Sequence, residues 1–242
     1  LFPLVVVFLG NVPIIDTINS NFNRGERILS FKKGLGVLTL LIMIGGLTSS
    51  FGCWPRIPEQ ARPTPQPPAK QLTAEAYFPL NPGSLWDYRG EGNEYAEYNS
   101  RVLFREGNLA QMRVDNPGTT MAFIFEVTDD SITRVYSEEG FYEERSLLGT
   151  FQENRREIIL KRPFVEGTTW TEGDRTFTIV ETNATVTTPA GVFNNCLKIH
   201  STFRGSDHEI FQFYAPNVGL VRSEFIAADT LIMSELRKYE IK

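Results

Sequence analysis

The chain has 242 residues, 41% hydrophobic and 12% aromatic, with a net charge of −5. That balance offers no basic surface for nucleic acid, so no nucleic-acid partner is expected. Two cysteines, Cys53 and Cys196, are too few for a disulfide framework.

In chain order, residues 1–28 contain one short apolar stretch, less than the roughly 20 residues that span a bilayer, and are set aside as a doubtful N-terminal extension. If they belong to the chain, a two-pass membrane protein is the alternative. Residues 29–52 have a three-part layout: Lys32 and Lys33 supply positive charge, Gly36 through Leu47 are apolar, and Thr48 through Gly52 are mostly small. This arrangement, ending at Cys53, resembles a bacterial lipoprotein signal peptide. Gly52 fits that family's pattern before the cysteine, whereas Ser50 stands where leucine is usual. The resemblance implies removal of 29–52, lipidation of Cys53 with palmitate-type chains, and the membrane as a partner through that anchor. The alternative is an uncleaved helix with Cys53 an ordinary thiol. Trp54 is not the aspartate that marks inner-membrane retention, so the implied place is the outer face of the cytoplasmic membrane or the outer membrane. Residues 53–71 carry Pro55, Pro58, Pro63, Pro65, Pro67 and Pro68, a density that favours an extended tether over helix or strand.

Residues 72–242 are long enough for one domain with a core, and they read as period two almost throughout. Pro79-x-x-x-Gly83-x-x-Trp86 opens the domain and recurs as Pro163-x-x-x-Gly167-x-x-Trp170, each tryptophan heading a strand. Two similarly begun sheet halves would produce this echo; coincidence in a proline- and glycine-punctuated β protein is the alternative. Strands are predicted over 111–115, 121–127, 132–136, 176–180, 197–203, 209–214, 219–225 and 231–239. Residues 141–154 are the least strand-like and have room for a short helix. The fold class expected is all-β or nearly so: a curved antiparallel sheet of about ten strands, as a half-barrel or sandwich.

Tyr77-Phe78-Pro79-Leu80 with Gly83 and Trp86, Thr188-Pro189-Ala190-Gly191 running to Cys196-Leu197-Lys198, and Tyr214-Ala215-Pro216 with Gly219-Leu220-Val221 carry a further likeness. The domain is similar in these motifs to a family of uncharacterised bacterial secreted proteins and lipoproteins. By looser analogy the family resembles the lipoprotein-carrier fold, whose curved sheet holds acyl chains in some relatives. What that implies is a fold and not a ligand.

Candidate chemistry is sparse, and no enzyme activity is expected. Cys196 and His200 share a strand side, but four residues along a strand separate alpha carbons by about 13 Å, too far for a thiol–base contact. Cys196 is expected to be buried and inert. Asp207-His208-Glu209 and the run Glu138-Glu139 to Glu143-Glu144 lack metal-ligand spacing, so neither metal nor cofactor is expected. Alternation places Phe123 with Phe125, and Phe211 with Phe213, each pair on one face, and these four are the candidate lining for an apolar ligand. The candidate rim loops centre on Pro189 and Gly191 and on Pro216 and Gly219.

Two functions follow as expectations. One is an envelope-anchored, non-enzymatic module that binds an apolar ligand or a lipidated partner. The other is a structural or interaction protein that docks another envelope protein through its rim loops, with the sheet interior filled. A cavity of a few hundred Å³ separates them.

Overall fold

The computed structural model describes residues 72–242 together with the backbone of Phe8–Leu9 and Val12–Pro13, which pair as a short antiparallel ladder. The signal segment 29–52, Cys53 with its tether to residue 71, and the rest of 1–28 lie outside the described residues.

After a one-turn helix, α1 (Ala74–Tyr77), twelve strands follow: β1 (Leu85–Glu91), β2 (Tyr98–Glu106), β3 (Leu109–Asp115), β4 (Thr120–Val127), β5 (Ser131–Glu139), β6 (Glu157–Lys161), β7 (Thr169–Glu172), β8 (Arg175–Thr188), β9 (Gly191–Phe203), β10 (Glu209–Ala215), β11 (Gly219–Ala227) and β12 (Thr230–Glu240). All pair antiparallel in one sheet of order β6-β5-β4-β3-β2-β1-β12-β11-β10-β9-β8-β7, nearly closed into a barrel. The all-β expectation holds, with two strands more than the alternation marks. One is β2, where Ser100 stands in the inward phase and the register shifts after Val102; the other is β6, only five residues long.

The sheet is two six-strand meanders, β1–β6 and β7–β12, joined where β1 pairs with β12. The echo in the sequence is the structural start of each half. Gly83 and Gly167 turn the chain with φ of 87° and 85°, a region that glycine enters without a Cβ clash. Gly83 N–H donates to Val102 O at 2.9 Å, and Gly167 N–H donates to Ile179 O at 2.8 Å. Trp86 and Trp170 are both buried, and each indole donates to a backbone carbonyl, of Val218 at 2.6 Å and of Ile158 at 3.0 Å.

Residues 141–154 hold no helix. They run as an irregular cover over the outer face of β4, packing Phe141, Leu147 and Leu148 on Ala122, Ile124 and Val135. The buried Gln111 amide pins this cover, donating to Arg145 O at 2.9 Å and accepting from Leu147 N–H at 2.7 Å. Covered on both sides, β4 is apolar at nearly every position, as a strand buried on two faces must be. The paired ends of β8 and β9 bend back in the same way over β11 and β12. Ala190 N–H donates to Leu236 O at 3.0 Å, and the Arg222 guanidinium donates to Thr187 O at 2.8 Å.

Candidate functional site: a filled inner face and an outer groove

The cross-strand register fixes which side chains face inward. Trp86, Tyr88, Val102, Met112, Phe123 and Phe125 share the inner face with Phe177, Ile179, Ile199, Ser201 and Gln212. Among the described residues, parts of the chain itself enter the space they enclose. Thr73 caps α1 by accepting from Ala76 N–H, and the following Tyr77-Phe78-Pro79-Leu80 turns into the sheet with all four side chains buried. The Phe78 ring meets Phe125 edge-on at 5.4 Å and Tyr214 at 6.3 Å; Tyr77 meets Phe164, the residue after the second proline of the echo, at 5.0 Å. Burial of this kind is worth about 1.5–3 kcal/mol per large side chain, so the segment is a structural plug. A second plug comes from the β1–β2 connection. Ala96, fully buried, packs with Ile210, Phe225 and Ile232, and its carbonyl accepts from the Ser234 hydroxyl at 2.7 Å. Room for it exists because residue 90 is glycine: a Cβ there would come within 2.2 Å of Glu97 N.

Phe123 and Phe125, expected as ligand lining, therefore pack against the plug and the core. Phe211 and Phe213 do not join them. Register pairs Phe211 with His200 and Phe213 with Lys198 on the outer face, where the His200 ring stacks on Phe211 at 4.5 Å and Lys198 Nζ lies 4.7 Å from the Phe211 centroid. Alternation shows which residues share a face of one strand, but not which face is concave. Of the rim loops, Pro189 and Gly191 are exposed at the β8–β9 tip beside Val192, itself 61% exposed. Pro216 and Gly219 instead flank a turn clamped to the first plug: Asn217 N–H donates to Ala76 O, and a Cβ on Gly219 would lie 3.5 Å from Pro79 and from Trp86. Cys196 is fully buried, its thiol 3.6 Å from Phe193 O, and burial pushes its pKa up to about 11. A thiol so placed is protonated and unreactive at neutral pH.

The sheet is not laddered between β6 and β7, and side chains close that seam. The Trp170 indole donates to the backbone carbonyl of Ile158 at 3.0 Å, and the Glu172 carboxyl, its pKa raised by burial, lies near the N–H of the same residue. Behind the seam the buried Glu157 carboxylate is shared by Arg134, by Arg155 at 3.3 Å and by Arg175 at 3.6 Å. Arg134 and Arg175 are 3% and 4% exposed and lie over Phe123 and Phe177, with guanidinium carbons 5.0 and 4.2 Å from the ring centroids. Burial lowers the pKa of both, that of Arg175 to about 10. Composition does not reveal this hub. Its signal was local, in that Arg134 and Arg175 fall in the inward phase of their strands, in step with Ile132 and with Phe177.

Between the 141–154 cover and the folded-back β8–β9 hairpin, the outer face of β1–β3 is left bare. A cleft of about 690 Å³ opens there. Its floor carries an acidic row, Asp87–Asn99–Asp115, and beside it a row of Leu85–Arg101–Arg113. Each row meets an opposite charge from a flanking element. Glu144 pairs with Arg101, and with Arg113 at 3.4 Å; Arg237 pairs with Asp87 at 2.8 Å and Glu97 at 3.1 Å.

A family model described as DUF3108-like matches residues 165–235, the stretch from just before β7 into β12. No curated protein matches the chain. Two solved structures are similar. One, a chain of Parabacteroides distasonis ATCC 8503 described as a candidate lipoprotein, has 16% identity and a TM-score of 0.44, covering 70% of this chain and 99% of its own. The other, a chain of Bacteroides fragilis NCTC 9343 described as a candidate exported protein with a YmcC-like fold, has 15% identity and a TM-score of 0.41, covering 67% and 97%.

Proposed function

We propose that this protein is a lipid-anchored, non-enzymatic envelope lipoprotein whose β domain docks another envelope protein through its outer surface. The observation that carries this reading is the filled inner face: Tyr77 through Leu80 and Ala96 occupy the space an apolar ligand needs. The anchor half of the proposal rests on Cys53 and the signal-like residues before it. The Pro189–Gly191 tip and the groove over β1–β3 are the surfaces left for a partner. Native mass spectrometry of the full chain, purified from a bacterial envelope in mild detergent, tests both halves. The expected spectrum shows acyl chains covalently bound at Cys53, lost in Cys53→Ala, and no second, non-covalent lipid. A stoichiometric lipid held by the domain would overturn docking in favour of the apolar-ligand reading.

A further inference from the structure

The groove over β1–β3 has a pattern that specifies its occupant. The acidic and cationic rows stand two residues apart along the strands, about 7 Å, and both run across the strands. The main-chain groups of the floor are spent in the β1–β2 and β2–β3 ladders, so recognition falls to side chains. The rings of Trp86 and Tyr98, on the floor strands, are buried on the inner face at 2% and 4% exposure, so neither offers a ring face to a sugar in the groove. Four carboxylates against three guanidinium groups disfavour a polyanion. Within the floor Arg113 and Asp115 already hold each other through three hydrogen bonds at 20% and 28% exposure. The flanking pairs of Arg101 with Glu144 and of Asp87 with Arg237 are mostly half-exposed and worth about 0–1 kcal/mol each, so a ligand exchanges these at little cost. At the groove's end the Asn116 side chain gives its oxygen to Gly118 and Thr119 N–H, while its buried Nδ2 has no hydrogen-bond acceptor among the described residues. It is a donor waiting for a carbonyl.

We infer that this groove binds an extended polypeptide segment of a partner protein whose side chains alternate in charge. Such a segment, lying along the rows, turns successive side chains to opposite sides, its basic residues to Asp87 and its acidic residues to Arg101, the two exchangeable charges of the floor. Asn116 Nδ2 takes one of its carbonyls. The inference rests on the docking reading above and names the chemistry of the partner.

The test uses the full chain in detergent at low salt, with a short peptide alternating Lys and Glu as probe and all-Lys and all-Glu peptides of equal length as controls, followed by fluorescence anisotropy. The alternating peptide is expected to bind at least about tenfold more tightly than either control. Arg101→Glu is expected to weaken it about tenfold. Asn116→Asp retains the turn-forming oxygen, removes the donor, and is expected to weaken binding several-fold with an unchanged melting temperature. Equal binding of a single-sign peptide, no binding of the alternating peptide, or indifference to Arg101→Glu would overturn the inference. None of these results bears on the lipid mass measured for the intact chain, so the docking reading stands or falls separately.

Discussion

The two halves of the sheet face each other at two junctions, which begin from similar sequence and are closed by different chemistry. At the β1–β12 junction a ladder runs from Met233↔Glu91 to Glu240↔Leu85, and the Trp86 indole adds a bond to Val218 beyond it. At the β6–β7 junction the strands are five and four residues long, and among the described residues the closure is the Trp170 indole on Ile158, backed by the Glu157 hub. A ladder spreads its strength over many main-chain bonds that mutation does not remove. Side-chain closure concentrates it in a few residues, each of which can be deleted. Short strands, Lys161 and Pro163 at the second junction also blunt edges that would otherwise pair with other chains.

The sharpest way to break this contrast is Glu157→Gln. It removes the carboxylate that three guanidinium groups share, and breaking a buried pair costs about 3–5 kcal/mol. The expected result is a matching fall in the urea midpoint with an unchanged slope. At the β1–β12 junction the buried Glu235 carboxylate is shared in a similar way by Arg89 at 2.8 Å and by Arg222, but there it lies on a main-chain ladder. A loss below about 1 kcal/mol in Glu157→Gln would mean that the β6–β7 seam does not depend on its hub.

The paired tryptophans come next. Trp86→Ala and Trp170→Ala are each expected to cost about 3–5 kcal/mol through lost packing, which tests only burial. Replacement by phenylalanine isolates the indole bond, at about 0.5–1.5 kcal/mol. Trp170→Phe is expected to speed hydrogen exchange in β6 and β7, whereas Trp86→Phe leaves β1 protected by its ladder. Equal effects on exchange at the two junctions would remove the distinction.

Gly83→Ala and Gly167→Ala measure what the junctions share. Both positions hold φ near +85°, so each substitution is expected to cost about 1–2 kcal/mol. The new Cβ meets open space at Gly167 and the flexible Lys242 side chain at 3.3 Å at Gly83, a small further difference. A cost at one site only, in thermal melts, would argue against equivalent half-starts.

The smallest effect is a pH slope. Burial raises the Glu172 pKa, and the nearby Ile158 N–H offsets part of the rise. A raised carboxyl pKa means that the folded state holds its proton more tightly than the unfolded chain does. The Glu172 contribution is therefore full below the ordinary carboxylate range and is lost as pH rises through the raised value. Glu172→Gln is expected to flatten the slope that begins above the ordinary carboxylate range, read from melting temperatures. An unchanged slope would show that the carboxylate is not held at the seam.

Much of the fold was legible in the chain. The short apolar run from Met121 to Val127 between turn residues marks a strand, and the Pro-x-x-x-Gly-x-x-Trp echo marks both half-starts because a turn needing positive φ admits little but glycine. Less of the site was. The motif Tyr77-Phe78-Pro79-Leu80 could be read as a signature but not as a plug, since nothing local says that the space it fills lies under Phe125 and Tyr214. Residues 141–154 carry no period because they lie as a cover on an existing sheet, pinned to it by the Gln111 and Asn154 side chains and turned by a short bonded stretch at 147–151.

By itself the sequence determined the strand periodicity, the turn positions, the duplicated opening of the halves and the signal-like approach to Cys53, all of which depend on neighbours within a few residues. Only the tertiary structure decided that Phe123 and Phe211 face opposite ways, that Tyr77 through Leu80 and Ala96 enter the inner face, that Arg134 and Arg175 share Glu157, and that β6 and β7 meet through side chains. The physical reason is that period-two alternation assigns side chains to two faces of a strand, while curvature, strand order and the placement of covering segments determine which face closes and which is left for a partner.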